Sequence, residues 1–429
     1  MATLAHGTPG GRPAQSQSPI HGATGKSLDW LNFFLADVRD GLGPYLAIYL
    51  IAVRGPSHGW DEATTGLVIT IAGIVGLLAQ TPAGGLIDRS RNKPVVVIVA
   101  ALLVTASCIA LPLVSGFAMV TLSQSVAAIA GAVFAPALSA ITLGLVGPKL
   151  FAPRIGRNEA FNHAGNAVSA LLAGLLAWKF GPVVVFWLMG GLAAASVFAA
   201  IRIPNDKIDN AVARGCDKEP DADDCGDGIW KTLTGNRTLL LFAGLCFLFH
   251  LANAAMLTSV GQLLARTAGK GMATSLTAAC IVAAQLVMVP VAILVGRKVD
   301  DWGRKPLFLA AFAVLCVRGI LYTVSDDPYW LVGVQALDGI GAGIFGALFP
   351  VIIADLTEGS GRFNVSQGAV ATAQGLGAAL SATVGGTIIV WFGYSANFLT
   401  LAAIAGVGLA VYLIFMPETQ GHMQKAHTA

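Results

Sequence analysis

The chain has 429 residues, of which 55% are hydrophobic and only 11% charged, with a mean hydropathy of +0.72. Soluble domains carry about 25% charged residues, so the composition excludes an ordinary soluble enzyme and gives no basis for a nucleic-acid partner. It indicates a membrane protein. The net charge of +3 is uninformative, and the 51 glycines suit close helix packing in lipid.

Residues 1–28 are polar, lack the apolar stretch of a secretory signal, and read as a disordered cytoplasmic tail. A membrane helix needs roughly 20 mostly apolar residues. Twelve segments meet this, near 30–53, 62–87, 94–115, 117–146, 158–180, 182–202, 238–265, 272–298, 306–324, 329–355, 364–391 and 395–416. They divide into a six-helix bundle over 29–202 and another over 238–416, joined by a hydrophilic linker over 203–237 and followed by a short cytoplasmic tail over 417–429. The linker is rich in Asp and Glu, and Ile229–Leu233 suits a short helix on the membrane surface. Cys216 and Cys225 in this linker fit no zinc spacing, and the other four cysteines lie in apolar segments, so no metal site is expected. Lys and Arg concentrate on the linker side (Arg89, Arg91, Lys93, Arg154, Arg157, Arg202, Arg297, Lys298). The opposite connections hold only Arg54, Lys179, Arg266 and Lys270. This bias places both termini in the cytoplasm.

Polar groups inside apolar segments are costly and mark function or internal pairing. The first segment carries Asp37, Arg39 and Asp40, followed by Gly41, Gly43 and Pro44, where a bend is expected. Asp37 and Asp40 share a helix face and Arg39 points elsewhere. Two close carboxylates raise one pKa, which suits proton loading; the alternative is an Arg39–Asp structural pair. The fifth segment presents Glu159, Asn162, His163 and Asn166 on one face. Glu159 is near a solvated end, whereas His163 suits a proton relay or, alternatively, a packed ring bonded to a backbone carbonyl. The seventh carries His250 and Asn253, expected at a central cavity in a substrate or coupling role. Arg318 and Asp338, at similar depth in neighbouring antiparallel segments, are expected to form a structural ion pair; Gln285, Gln367 and Gln374 can bond a polar ligand.

The turn Gly84-Gly85-Leu86-Ile87-Asp88-Arg89-Ser90-Arg91-Asn92-Lys93-Pro94 has a second copy, Gly296 to Pro306, at an offset of 212 residues from Asp88 to Asp300. Phe180-Gly181 and Phe392-Gly393 repeat at the same offset. A charged turn repeated at half-length between membrane segments signals two homologous halves. With twelve helices and a central linker, the chain resembles the major facilitator superfamily over about 30–416. That family's turn between its second and third helices reads G-x-x-x-D-[RK]-x-G-[RK]-[RK]. The first copy keeps Gly84, Asp88, Arg89 and Lys93; the second keeps Gly296, Asp300, Gly303, Arg304 and Lys305. The stretches Gly156–Asn166 and His250–Met256 are similar to a bacterial subgroup of these transporters. Gln124 stands where family drug/proton exchangers often carry Arg, and the fifth segment lacks their Gly-Pro-rich element.

The resemblance implies an all-α membrane protein, a monomer in a bacterial inner membrane, that works by alternating access. It implies gating by Asp88, Arg89, Lys93, Asp300, Arg304 and Lys305: carboxylates at the ends of the second and eighth helices meeting a helix N-terminus of the opposite half, with basic residues pairing across the gap. The function expected is proton-coupled efflux of a small organic solute, with Asp37 and Asp40 as first proton carriers and His163 and His250 second. Uptake by symport, export of a metal or metal chelate, and a non-transporting sensor or scaffold are the alternatives. No phosphate loop, zinc spacing or nucleophile motif occurs, so neither catalysis nor a cofactor is expected.

Overall fold

A computed structural model of the chain describes residues 22–40, 46, 49–54, 57, 59–114, 116–180, 183–216, 234–267 and 270–420. The described residues are nearly all helical. The first span is the helix Ala23–Asp40 followed by a π-helical turn, Tyr49–Arg54. The bend expected at Gly41–Pro44 and the short helix expected at Ile229–Leu233 lie outside the described residues. Then come Glu62–Arg89, Lys93–Ile109, a fourth span in two pieces (Phe117–Gly131 and Phe134–Val146), Pro148–Phe180 and Val184–Ile201. The second half comprises Arg237–Thr267, Lys270–Trp302, Arg304–Leu321, Pro328–Thr357 and the stretch Phe363–Phe415. That last stretch is two spans turning at Gly393, whose φ of 85° favours glycine.

Eight of these helices are long and apolar enough to cross a membrane, the last covering two spans. The first, fifth and ninth complete the set of twelve. They carry charged and polar residues, and several of those charges are paired inside the protein. Asp29 of the first helix is buried against Arg154 and Arg157 of the fifth, with N···O distances of 2.7 Å to each. Arg318 of the ninth is buried against Asp338 of the tenth. The fifth helix starts ten residues before the expected 158, because Pro148 suits a first helical turn and Asp29 anchors the following turns through Arg154 and Arg157.

Each half has its own apolar core, with one exception. Leu143, Val146, Phe151, Ala152 and Ile155, from the ends of the fourth and fifth spans nearest the linker, join the core of the second half. The halves meet chiefly along two crossings, the second span with the eleventh and the fifth with the eighth. Both need glycine. A Cβ on Gly156 would lie 2.6 Å from the Gly296 Cα, and one on Gly84 would collide with the Asn364 backbone. Backbones this close leave no room for a side chain. Gly296→Val should force the fifth and eighth spans apart at an expected cost of about 1–3 kcal/mol. A lower thermal midpoint of the purified protein is the expected result; a midpoint equal to wild type would contradict so tight a crossing.

Candidate functional site

A cavity of about 690 Å³ lies between the halves. Along the second span, Ile69, Gly73, Leu77 and Gln80 line it, while Gly84 and Asp88, further towards the linker, are packed against the second half. The cavity is therefore closed beneath, on the linker side, by contacts between the two halves. From the first half it receives Asn32, Arg39, Gln80, Gln124, Asn158 and Glu159; from the second, Phe345, Phe349, Gln367 and Gln374. Both described charges belong to the first half. Gln80 Oε1, Gln124 Nε2 and Gln367 Oε1 are buried without a protein partner, which leaves hydrogen-bonding capacity for a solute.

Arg39 lines the cavity and is exposed; Asp37 is half-buried and not among the lining residues, and the Asp40 side chain lies outside the described residues. A helix pattern states which residues share a face, and packing decides which face meets the cavity. Among the described residues, the carboxylate that reaches the cavity is Glu159. Its Oε2 accepts a long hydrogen bond from Asn162 Nδ2 at 3.4 Å and lies 3.8 Å from His163 Nε2. His163 Nδ1 is 2.8 Å from Gln285 Oε1 on the eighth span, so the imidazole bridges the halves. Asn166 is half-buried and outside the cavity lining.

His250 and Asn253 do not line the cavity, contrary to expectation. His250 Nδ1 lies 3.1 Å from the Cys246 carbonyl and its ring packs edge-on against Phe345, with centroids 4.8 Å apart. Asn253 accepts from the Arg318 guanidinium, which also pairs with Asp338; Tyr322 and Gln335 extend the network. The ninth and tenth spans thus hold the ion pair expected of Arg318 and Asp338, and Asn253 is spent on it. Among the described residues no group of three or more His, Cys, Asp and Glu side chains could hold a metal.

The two copies of the charged turn differ. Asp88 is buried, and its carboxylate accepts from Val365 N at 2.9 Å, Asn364 Nδ2 at 2.8 Å and Asn364 N at 3.3 Å. It caps the N-terminus of the eleventh span, in the opposite half, as a carboxylate at that position favours. Lys93 is fully buried and donates to Ser90 O and to Asn210 Oδ1 of the linker; Arg89 is exposed. In the second copy the expectation of contacts across the gap is corrected. Arg304 pairs with Asp355 at 3.0 Å and Asp300 at 2.8 Å, and Glu418 accepts from the backbone N–H groups of Arg304 and Lys305. Lys305 Nζ donates to Leu413 O. All of these partners lie in the second half.

Asp29, Asp355, Asn364 and Glu418 were missed in the sequence because each is defined by a partner far along the chain. Arg154 and Arg157, three apart near a helix start, were the available signal for a buried carboxylate opposite.

The family model for the Major Facilitator Superfamily matches residues 30–327 and 269–429. The chain is 56% identical over 394 residues to the "Uncharacterized MFS-type transporter Rv2456c" of Mycobacterium tuberculosis (strain ATCC 25618 / H37Rv), covering 92% of this chain and 93% of that one. It is 28% identical over 378 residues to the "Inner membrane transport protein YajR" of Escherichia coli (strain K12), covering 86% and 78%. The crystal structure of the major facilitator transporter FucP in the outward conformation superposes with a TM-score of 0.73 at 14% identity, over 92% of this chain and 98% of FucP. The chain belongs to the major facilitator superfamily, and its twelve helices are those of a membrane transporter of that fold.

Proposed function

We propose that this transporter exports a small polar organic solute across a bacterial inner membrane by alternating access, driven by protons, with Glu159 and His163 as the coupling pair. One observation carries this reading: Glu159 lines the cavity and lies 3.8 Å from an imidazole that is itself hydrogen-bonded to the opposite half. With Nδ1–H donating to Gln285 Oε1, neutral His163 presents a bare Nε2 towards Glu159; on protonation Nε2–H faces the carboxylate. A proton at this pair therefore changes charge at the cavity wall and at the crossing of the fifth and eighth spans together. The other described charge on the cavity is Arg39; the lining residues of the tenth and eleventh spans are uncharged.

Asp88 is proposed as the gate on the linker side. Its three donors belong to the other half and must separate when that side opens. The second turn serves as a fixed anchor, since the contacts of Asp300, Arg304 and Lys305 stay within one half. Export as the direction rests on family analogy. Metal export is the less favoured alternative, since His250 is packed against Phe345 and does not line the cavity.

Proteoliposomes with an imposed pH gradient test the coupling. Gradient-driven accumulation of a solute is expected to be lost in Glu159→Gln, while solute exchange without net proton movement persists. Accumulation at the wild-type rate in that variant would remove Glu159 from the coupling step. The sign of the gradient that drives accumulation distinguishes export from uptake. Absence of any flux, with no ligand-induced stabilisation, would favour a sensor.

A further inference from the structure

Arg39 is an unpaired cation in the cavity. Arg154, Arg304 and Arg318 each lie against a carboxylate. Arg39 is exposed to the cavity and has no hydrogen bond or ion pair among the described residues. A charge at membrane depth is expensive and ordinarily has a partner. Guanidinium also carries five donors in a planar fork that fits a carboxylate or a phosphate. We propose that the solute is an organic anion, its acidic group held by Arg39 and its apolar part set against Phe345 and Phe349, with the unpartnered amides of Gln80 and Gln124 taking further polar groups. This rests on the transport reading above and deepens it. The cavity volume suits a solute of small-drug size.

The test is thermal-shift binding to the purified full chain with matched sets of probes: benzoate, benzamide and benzylamine, and hexanoate, hexanamide and hexylamine. Saturable stabilisation is expected from the carboxylates, weakened at least roughly tenfold in Arg39→Gln and only partly retained in Arg39→Lys, which keeps the charge and loses the fork. Stabilisation by the amines or amides in preference to the carboxylates overturns the proposal, as does carboxylate binding that is unchanged in Arg39→Gln. Stabilisation by none of the six also counts against it. Proton-linked flux of an amine or amide would uphold transport while overturning the anion, so the two readings fail separately.

A second inference comes from the linker. Its first part is packed into the seam between the halves on the linker side. Asp209 N donates to Gly144 O at 3.0 Å, and Asn210 Oδ1 accepts from Lys93 at 2.8 Å, both first-half partners. Ala213 O accepts from Asn364 Nδ2 at 2.9 Å, and Gly215 O accepts from Gly359 N at 2.6 Å, both second-half partners. Ile208, Ala211 and Ala213 are buried. Asn364 thus holds Asp88 and the linker at once. We infer that residues 208–216 form a strap that must release from one half before the linker side opens, and so set the rate of opening.

In a background without native cysteines, the maleimide labelling rate of Val365→Cys reports that opening. Asn210→Ala, which removes the strap's bonds to Lys93 and to Arg91 O, should raise the rate several-fold. Asn210→Asp, which turns the Lys93 contact into an ion pair, should lower it. Equal rates in both variants, or a slower rate in Asn210→Ala, would overturn the strap; a matched thermal midpoint shows that the variants remain folded.

Discussion

The closed side of this transporter depends on one carboxylate. Asp88 is buried, and its donors come from the opposite half, two of them backbone N–H groups at the start of the eleventh span. Burial of an ionised carboxylate is costly unless its acceptor sites are filled, and here they are filled only when the halves are together. In its proposed role as a gate the same contact favours closure and keeps it reversible, because opening would exchange these donors for water. The geometry has a prerequisite in Gly84, one turn before Asp88. Any side chain there would push away the Asn364 backbone and carry the donors out of reach.

The second copy of the turn repeats the motif without repeating the interaction. Arg304 is drawn into its own half by Asp355, and Glu418 holds the backbone of Arg304 and Lys305 from the chain beyond the twelfth span. Asp300 is left half-exposed and occupied by Arg304. One turn is thus a contact between moving bodies and the other part of a rigid body. This division is what a two-body rocking motion requires, since the crossing on one side of the seal needs a fixed surface to close upon. Lys93 and Lys305 differ in the same sense: the first reaches the linker, and the second the end of the twelfth span.

Much of this was legible in the sequence. The repeat from Asp88 to Asp300 implied two halves, the apolar segments implied the spans, and Arg318 with Asp338 was readable from depth alone. The cavity was not, for a physical reason. Helical spacing groups Asp37 with Asp40 and sets Arg39 apart, but only packing against the fifth and sixth spans decides that Arg39 meets the cavity. His163 and His250 look alike in sequence, each in an apolar segment near an Asn. One finds Gln285 across the seam, and the other finds its own helix's Cys246 carbonyl. The hydrophilic composition of 203–237 hid the apolar Ile208, Ala211 and Ala213 that anchor its first part.

The contacts beside the cavity are weak by design of their chemistry. Gln367 Nε2 to Ser139 Oγ, Thr81 to Thr372, and His163 to Gln285 are side-chain hydrogen bonds across the seam, each with a net contribution of about 1 kcal/mol. A solute can shift an equilibrium between two states only by its difference in affinity for them, and a tenfold difference amounts to about 1.4 kcal/mol. Each neutral bond beside the cavity is of that size, which breaking a buried ion pair would exceed. The charges follow the same logic. The ion pair between Arg318 and Asp338 and that between Arg304 and Asp355 lie inside one half, where they stiffen a body that moves as a unit. The charges left facing the cavity, Arg39 and Glu159, lie in the other half. A solute or proton that binds them changes the electrostatics at the seam without unlocking either bundle.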